Sequence, residues 1–519
     1  MNAGARRAGL AVAALAAALP AWAEGPRSAI PWLSQSIELG NTPPPPSRPA
    51  PPNAAPAPGE ITVTPLAPVR RDAVGLLPPE TTGFARALWG PDTTADVRAL
   101  IAQHPDEGVP AARALFRRLL LAEADPPGGA EGSGEDLLLG RIDQLLAMGA
   151  LEEAGALIDL AGPDTPDLFR RWFDIGILLD RTQAPCAALR QNPALSPTLP
   201  ARVFCLARGG DWNAAEITLT LGQRVGSIPA DEQALLARFL DPELFETEDP
   251  PPVPDPLTPL DFLMREAVGL PRPPGPLPLA FLNTDLGEHV PMRSRIEAAE
   301  RLTVSGAVDY PVLFAAYRSG EPAASGGVWD RAGAVQALDA ALAGGEPNAI
   351  AAALVAADKA LADRGLRVAL AEAYSDRLAT LDSASLTPDA RATAAELLLL
   401  AGAPDAARHA RRDPDPHFDA LVAIAGAGPA PVVVADPMAV AALAGLAAEA
   451  PADDRERRLA AMVAEGRQGR AILAALDLVQ SGAPIDPQAL RAAILSLRLA
   501  GQAEAARAIA LQTLLAGAA

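Results

Sequence analysis

The sequence predicts an all-α fold, an irregular α-solenoid of helical hairpins behind an extended Pro-rich N-terminal arm. Three observations predict it. Apolar residues recur at helical spacing almost without break from Thr93 onward. A short helix-to-helix corner recurs along the chain, with Gly closing one helix and Ala placed early in the next. Alanine, the best helix former, carries much of a composition that is 50% hydrophobic yet only 4% aromatic.

The corner reads Gly149-Ala150-Leu151-Glu152-Glu153-Ala154, then Gly210-Asp211-Trp212-Asn213-Ala214-Ala215. Later copies are Gly402-Ala403-Pro404-Asp405-Ala406-Ala407 and Gly501-Gln502-Ala503-Glu504-Ala505-Ala506, and Gly344 to Ala349 is a weaker fifth. Gly suits a helix C-terminus, where positive φ is needed. Ala suits a place where two helices cross so closely that only a methyl fits. One such pair cannot bury its apolar face alone and must stack on a neighbour.

Residues 1–23 read as a secretory signal peptide. Arg6 and Arg7 form a basic start, Ala8 to Leu19 an apolar run, and Ala21-Trp22-Ala23 a small-x-small cleavage site. The run is too short for a retained membrane anchor. The Arg pair also fits twin-arginine export, but the residues after it favour the general secretory route. The expected product is periplasmic, cut after Ala23, rather than released outside the cell. No Cys follows the cut, so a lipoprotein is not expected. Losing Arg6 and Arg7 takes the net charge from −20 to −22. Such a surface repels phosphate backbones, which argues against nucleic acid as a partner. No later stretch predicts a stable membrane span. The apolar region from Phe418 to Ala450 is broken by Pro429, Pro431 and Pro437.

Residues 24–90 form the predicted arm. Pro43 to Pro58 is dense in Pro, which favours polyproline II and blocks helix. Two apolar islands flank it. One carries Ile30, Trp32 and Leu33, the other Ile61 and Val63 on one face. They are the candidate partner-binding residues, docking peptides on a stiff tether. A third apolar cluster runs from Val74 to Trp89.

An N-terminal helical block is expected over 91–248. Thr93 or Thr94 caps a helix through about Gln103, and Thr165-Pro166 opens the most aromatic helix, with Phe169, Trp172 and Phe173. A Pro-rich joint follows at 249–278, with one short helix at Leu260 to Val268. The C-terminal block, 279–519, repeats hairpins: Ala334 to Leu342 with Ala349 to Ala362, Arg391 to Leu400 with Asp405 to Arg411, and Leu490 to Leu499 with Ala503 to Leu515. Only Val432 to Val434 suggests a strand.

The corner resembles the helix A to helix B turn of tetratricopeptide repeats, where a Gly precedes an Ala of helix B by five residues. Gly210 to Ala215 is the nearest copy. The resemblance covers five short segments. The intervals depart from a strict period of 34: Gly149 to Gly210 is 61 residues and Gly402 to Gly501 is 99. It implies a degenerate array with a surface for protein or peptide binding, and carries over no catalytic residues.

Cys186 and Cys205 are the only cysteines, and an oxidising compartment makes them a disulfide. His409 and His417 lie eight apart, but Pro414 and Pro416 mark a loop rather than a metal pair. Walker loops, nucleophile elbows and H-E-x-x-H are absent. The expectation is therefore no catalytic residue, no metal, no cofactor and no enzyme. The protein reads as a periplasmic scaffold or adaptor for an envelope protein or peptide. The alternatives are a helical accessory arm of a cell-wall-acting enzyme of the lytic transglycosylase type and a small-ligand carrier around Trp172 and Phe173.

Overall fold

Proline opens many of the helices. Among the described residues, ten α-helices begin with Pro, whose fixed φ suits the first helical position and whose missing N–H would be unpaired there anyway. The computed structural model describes residues 30, 32, 70–104, 108–129, 134–196, 198–245, 249–430, 433–480 and 485–516. Among them there is no strand, only a parallel bridge between Leu77 and Ala122. Val433 and Val434 are irregular, and Val432 lies outside the described residues.

A short helix, α1 (Pro79–Thr82), leads into α2 (Thr94–Gln103) and α3 (Pro110–Leu121). Next come α4 (Asp136–Met148), α5 (Leu151–Ala161), α6 (Pro166–Leu178), α7 (Gln183–Gln191), α8 (Leu199–Arg208), α9 (Trp212–Val225), α10 (Ala230–Leu240) and α11 (Pro259–Ala267). A 3-10 stretch, Leu279–Leu286, precedes α12 (Met292–Ser305), α13 (Tyr310–Tyr317), α14 (Val328–Gly344), α15 (Pro347–Ala362) and α16 (Arg367–Ala379). The chain ends through α17 (Pro388–Leu400), α18 (Pro404–Arg411), α19 (Pro416–Ile424), α20 (Pro437–Ala447), α21 (Asp454–Ala464), α22 (Gln468–Asp477), α23 (Pro487–Leu499) and α24 (Ala503–Ala516). Thr93 caps α2 by accepting from the Asp96 N–H, and Thr165 caps α6 by accepting from the Leu168 N–H.

Four corners have the expected geometry. Gly149, Gly210, Gly402 and Gly501 have φ of 84°, 83°, 75° and 78°. The alanines five residues on, Ala154, Ala215, Ala407 and Ala506, are fully buried. The fifth corner sits one residue later than the sequence suggests. Gly345, not Gly344, takes positive φ, and Ile350 rather than the exposed Ala349 is buried five positions on. Two adjacent glycines left that register open.

The packing departs from an open solenoid, in which each unit touches only its neighbours. Here the first helices meet the last. Helix α2 packs on α22, and α3 packs on both α22 and α24. The Gly469 N–H donates to the Leu88 carbonyl at 2.8 Å, and the Ala85 N–H donates to Gln468 Oε1 at 2.8 Å. Arg470 pairs with Asp92 at 2.9 Å, and His104 Nδ1 lies 2.8 Å from Asp477. Gly469 has no side chain because the Trp89 ring fills the place; a Cβ there would stand 2.5 Å from that ring. The circuit runs from α3 and α4 through Leu279–Leu286 to α12, α13, α16, α17, α24 and back to α3. One continuous Leu- and Ala-rich core follows it.

The expected division at 249–278 is replaced by a ring and a lobe. Helices α2–α5 share the ring core with α12–α24, while α6–α11 build a second core. Helix α6 serves both, with Leu168 and Ile175 facing the ring and Phe169, Phe173 and Ile177 facing the lobe. Helix α11 does the same through Phe262 on one side and Leu260 and Met264 on the other. Cys186 of α7 and Cys205 of α8 form a disulfide within the lobe, with Cα atoms 5.1 Å apart. Phe84, Leu88 and Trp89, which precede residue 91, are buried in the ring core.

Candidate functional site

A groove of about 780 Å³ lies on the α12 side of the ring. Two loops rim it. One is Pro271-Arg272-Pro273-Pro274-Gly275-Pro276, whose prolines hold the wall stiff. The other is Ala324-Ser325-Gly326-Gly327, where positive φ at both glycines turns the chain into the N-terminus of α14. Helix α12 is the floor, and Arg364, just past α15, closes one end.

Five arginines line the groove, Arg272, Arg293, Arg301, Arg331 and Arg364, against three carboxylates, Asp285, Glu297 and Glu300. The balance is positive in a chain of net charge −20. Each carboxylate is already engaged. Arg272 binds Asp285 at 2.8 Å, and Arg293 binds Glu297 at 2.9 Å. Glu300 is buried and forms the hub. Arg331 grips it with two bonds of 2.6 and 2.7 Å, and the Tyr317 hydroxyl donates to it at 2.8 Å. Burial lowers the Arg331 guanidinium, but the Glu300 contact outweighs that and leaves it above its ordinary value. Burial and then the Glu300 charge push the Tyr317 phenol far up, so it remains a donor.

The remaining arginines have unused donors. Arg301 donates to the Leu277 carbonyl at 3.2 Å and has no carboxylate within 4.0 Å among the described residues. Arg364 reaches Glu300 only at 3.9 Å. A guanidinium offers five N–H donors, so both can take an incoming anion.

Two further cavities adjoin the groove. Glu300, Arg301 and Arg364 also bound a second cavity of about 250 Å³ with Arg113 and Val304. Arg113 and Val304 in turn bound a third of about 220 Å³, where α3, α12, α13, α16 and α24 meet. Asp309 and Glu372 line this third cavity. Burial, then the Asp309 charge, raises Glu372 above its ordinary value.

Two candidate residues of the arm, Ile30 and Trp32, are buried on the body, and Trp32 stands edge-on to Phe281 with centroids 5.4 Å apart. Phe281 meets Phe262 edge-on at 5.3 Å. The residue after Phe281, Leu282, lines the groove. Leu33, Ile61 and Val63 lie outside the described residues. Trp172 lines a separate cleft of about 350 Å³ whose Arg181 and Glu152 are paired at 2.7 Å, while Phe173 is in the lobe core. His417 lies 4.0 Å from Asp436, and no group of three potential metal ligands occurs among the described residues. No helix among them is long and apolar enough to cross a membrane.

Sequence reasoning did not find the groove arginines. Arg272 was read as part of a linker, and the other four are scattered from 293 to 364. The available signal was their density around α12 in an acidic chain. No family model, curated protein or solved structure matches this chain.

Proposed function

We propose that this chain is an exported, periplasmic scaffold that holds a segment of a partner protein in the groove over α12. The stacked hairpins are read as a tetratricopeptide-like array bent into a closed circuit. The observation that carries the reading is the groove itself: arginines with unused donors, between a stiff Pro wall and a Gly-rich rim, on an otherwise acidic body. Arg272, Arg293 and Arg331 are already braced by ion pairs, which suits a preorganised binding surface. The removal of residues 1–23 and the periplasmic address belong to the same proposal, and the disulfide is compatible with an oxidising compartment.

The test is capture from envelope extracts with the mature protein and with an Arg301→Glu/Arg364→Glu variant. A partner retained by the first and lost by the second supports the reading. Equal recovery by both removes the groove as the partner site.

A further inference from the structure

Resting on that reading of the groove, we infer that its occupant is an extended peptide segment bearing spaced carboxylates. Such a segment lies over Arg272 and Arg293 and passes Arg301 and Arg364 toward Arg113 and Val304.

Three features select this occupant. The first is shape. The three cavities share walls: Arg301 and Arg364 bound the first two, and Arg113 and Val304 bound the second and third. A trough of this kind accommodates an extended chain better than a compact ligand. The second is the arrangement of charge. Arg272, Arg293 and Arg331 each hold a carboxylate of the protein, so cation and anion alternate along the wall. Spare donor capacity is concentrated at Arg301 and Arg364. Carboxylates separated by neutral residues fit that alternation. A contiguous phosphate chain would place charges against Asp285, Glu297 and Glu300 and against the body's own net charge of −20. The third is polarity along the trough. Asp309 and Glu372 line the third cavity, so the segment's carboxylates belong at the Arg272 and Arg293 end, with a neutral or cationic residue toward Asp309 and Glu372.

The test uses the full mature protein and fluorescence anisotropy. The probes are a labelled peptide of Glu residues spaced by Gly and Ser, the same peptide with Gln for Glu, and a single-stranded oligonucleotide of equal charge. The Glu peptide should bind about tenfold or more tightly than the Gln peptide, as expected for charge-assisted hydrogen bonds. Its affinity should fall as salt rises from ~50 to ~200 mM. Arg301→Glu/Arg364→Glu should abolish that preference, and Arg457→Glu on the distant α21 should preserve it. Arg301→Gln/Arg364→Gln provides the same reading should the charge reversal impair folding. Equal binding of the Glu and Gln peptides, or an unchanged preference in both double variants, overturns the inference. Tighter binding of the oligonucleotide overturns the peptide class. Capture that depends on the groove while the Glu peptide shows no preference overturns the carboxylate chemistry alone. Groove-independent capture overturns the underlying reading.

Discussion

In the lobe, Phe169, Phe173, Phe204 and Phe239 make a ladder of ring contacts within about seventy residues of chain, and the Cys186–Cys205 bond staples the helices beside it. In the ring, the joining contact links Ala85 to Gln468, 383 residues apart, and the core is mostly Leu and Ala. The lobe has aromatic area and a covalent loop. The closure of the ring has no covalent loop; Trp89 against Gly469, the packing of α2 and α3 on α22 and α24, and hydrogen bonds and ion pairs hold it. Local contacts form at little entropic cost, whereas closure across hundreds of residues must be supported by the whole circuit. The ring is therefore the cooperative element and the lobe the autonomous one.

Breaking the closure gives the largest expected effect. Trp89→Ala should cost about 3–5 kcal/mol in urea unfolding, the range for deleting a buried aromatic ring. Gly469→Ala attacks the same contact from the other side and should cost ~1–3 kcal/mol by overpacking, despite the better helix propensity of Ala. Hydrogen exchange should rise in α2, α3, α22 and α24 together and remain low in the lobe. A loss below ~1 kcal/mol in both variants would show that closure contributes little.

Opening the lobe gives the next effect. Cys186→Ser/Cys205→Ser removes a loop closed over 19 residues and should cost about 3 kcal/mol on the chain-entropy model. The increase in hydrogen exchange should be confined to α7–α10. Equal loss of protection in α14–α17 would mean that ring and lobe unfold as one.

The contrast also explains what was legible in the sequence. Thr93 and Thr165 were recognisable as caps because a cap is a local arrangement of a hydroxyl and an N–H. The corners at Gly149, Gly210, Gly402 and Gly501 were legible for the same reason. Nothing local marks Trp89 as the partner of Gly469, so the closure was invisible. Pro166 was legible as a helix opener because Thr165 caps the same turn, and Pro347, Pro388 and Pro437 open helices in the same way. The burial of Phe84, Leu88 and Trp89 was not legible because the pieces before them are a 3-10 turn and the bridge from Leu77 to Ala122. The groove was missed because its arginines converge only when α12, α14 and the end of α15 pack.

A smaller effect is expected where the arm meets the body. Trp32 of the arm is buried against Phe281. Trp32→Ala should cost about 1.5–3 kcal/mol, the worth of one buried large side chain. Phe281 should become more exposed to solvent, read by fluorine NMR of labelled Phe. An unchanged Phe281 signal would show that Trp32 does not hold this contact in solution.

The smallest effects concern two ring carboxylates whose pH dependences have opposite signs. Burial pushes Asp339 up, but hydrogen bonds from Arg318 and Tyr374 outweigh it and hold the carboxyl below its ordinary 3.8. Its contribution is therefore present above pH 3.8 and lost as pH falls through the lower folded value. Glu372 is raised above its ordinary 4.5 by burial and by Asp309. Its contribution is fully present below pH 4.5 and lost as pH rises through the folded value. Asp339→Asn should thus lower stability at neutral pH and flatten the acid limb, while Glu372→Gln should raise stability at neutral pH and converge with the parent in acid. Both groups retain water contact, so each change should stay under about 1 kcal/mol. Urea midpoints between pH ~3 and ~7 read both. If the two variants shift in the same direction at neutral pH, the opposition between the Arg318–Tyr374 clasp and the wall of the third cavity is wrong. If only Glu372→Gln responds to an added glutamate peptide, the wall of the third cavity is in contact with the occupant and Asp339 is a brace of the ring alone.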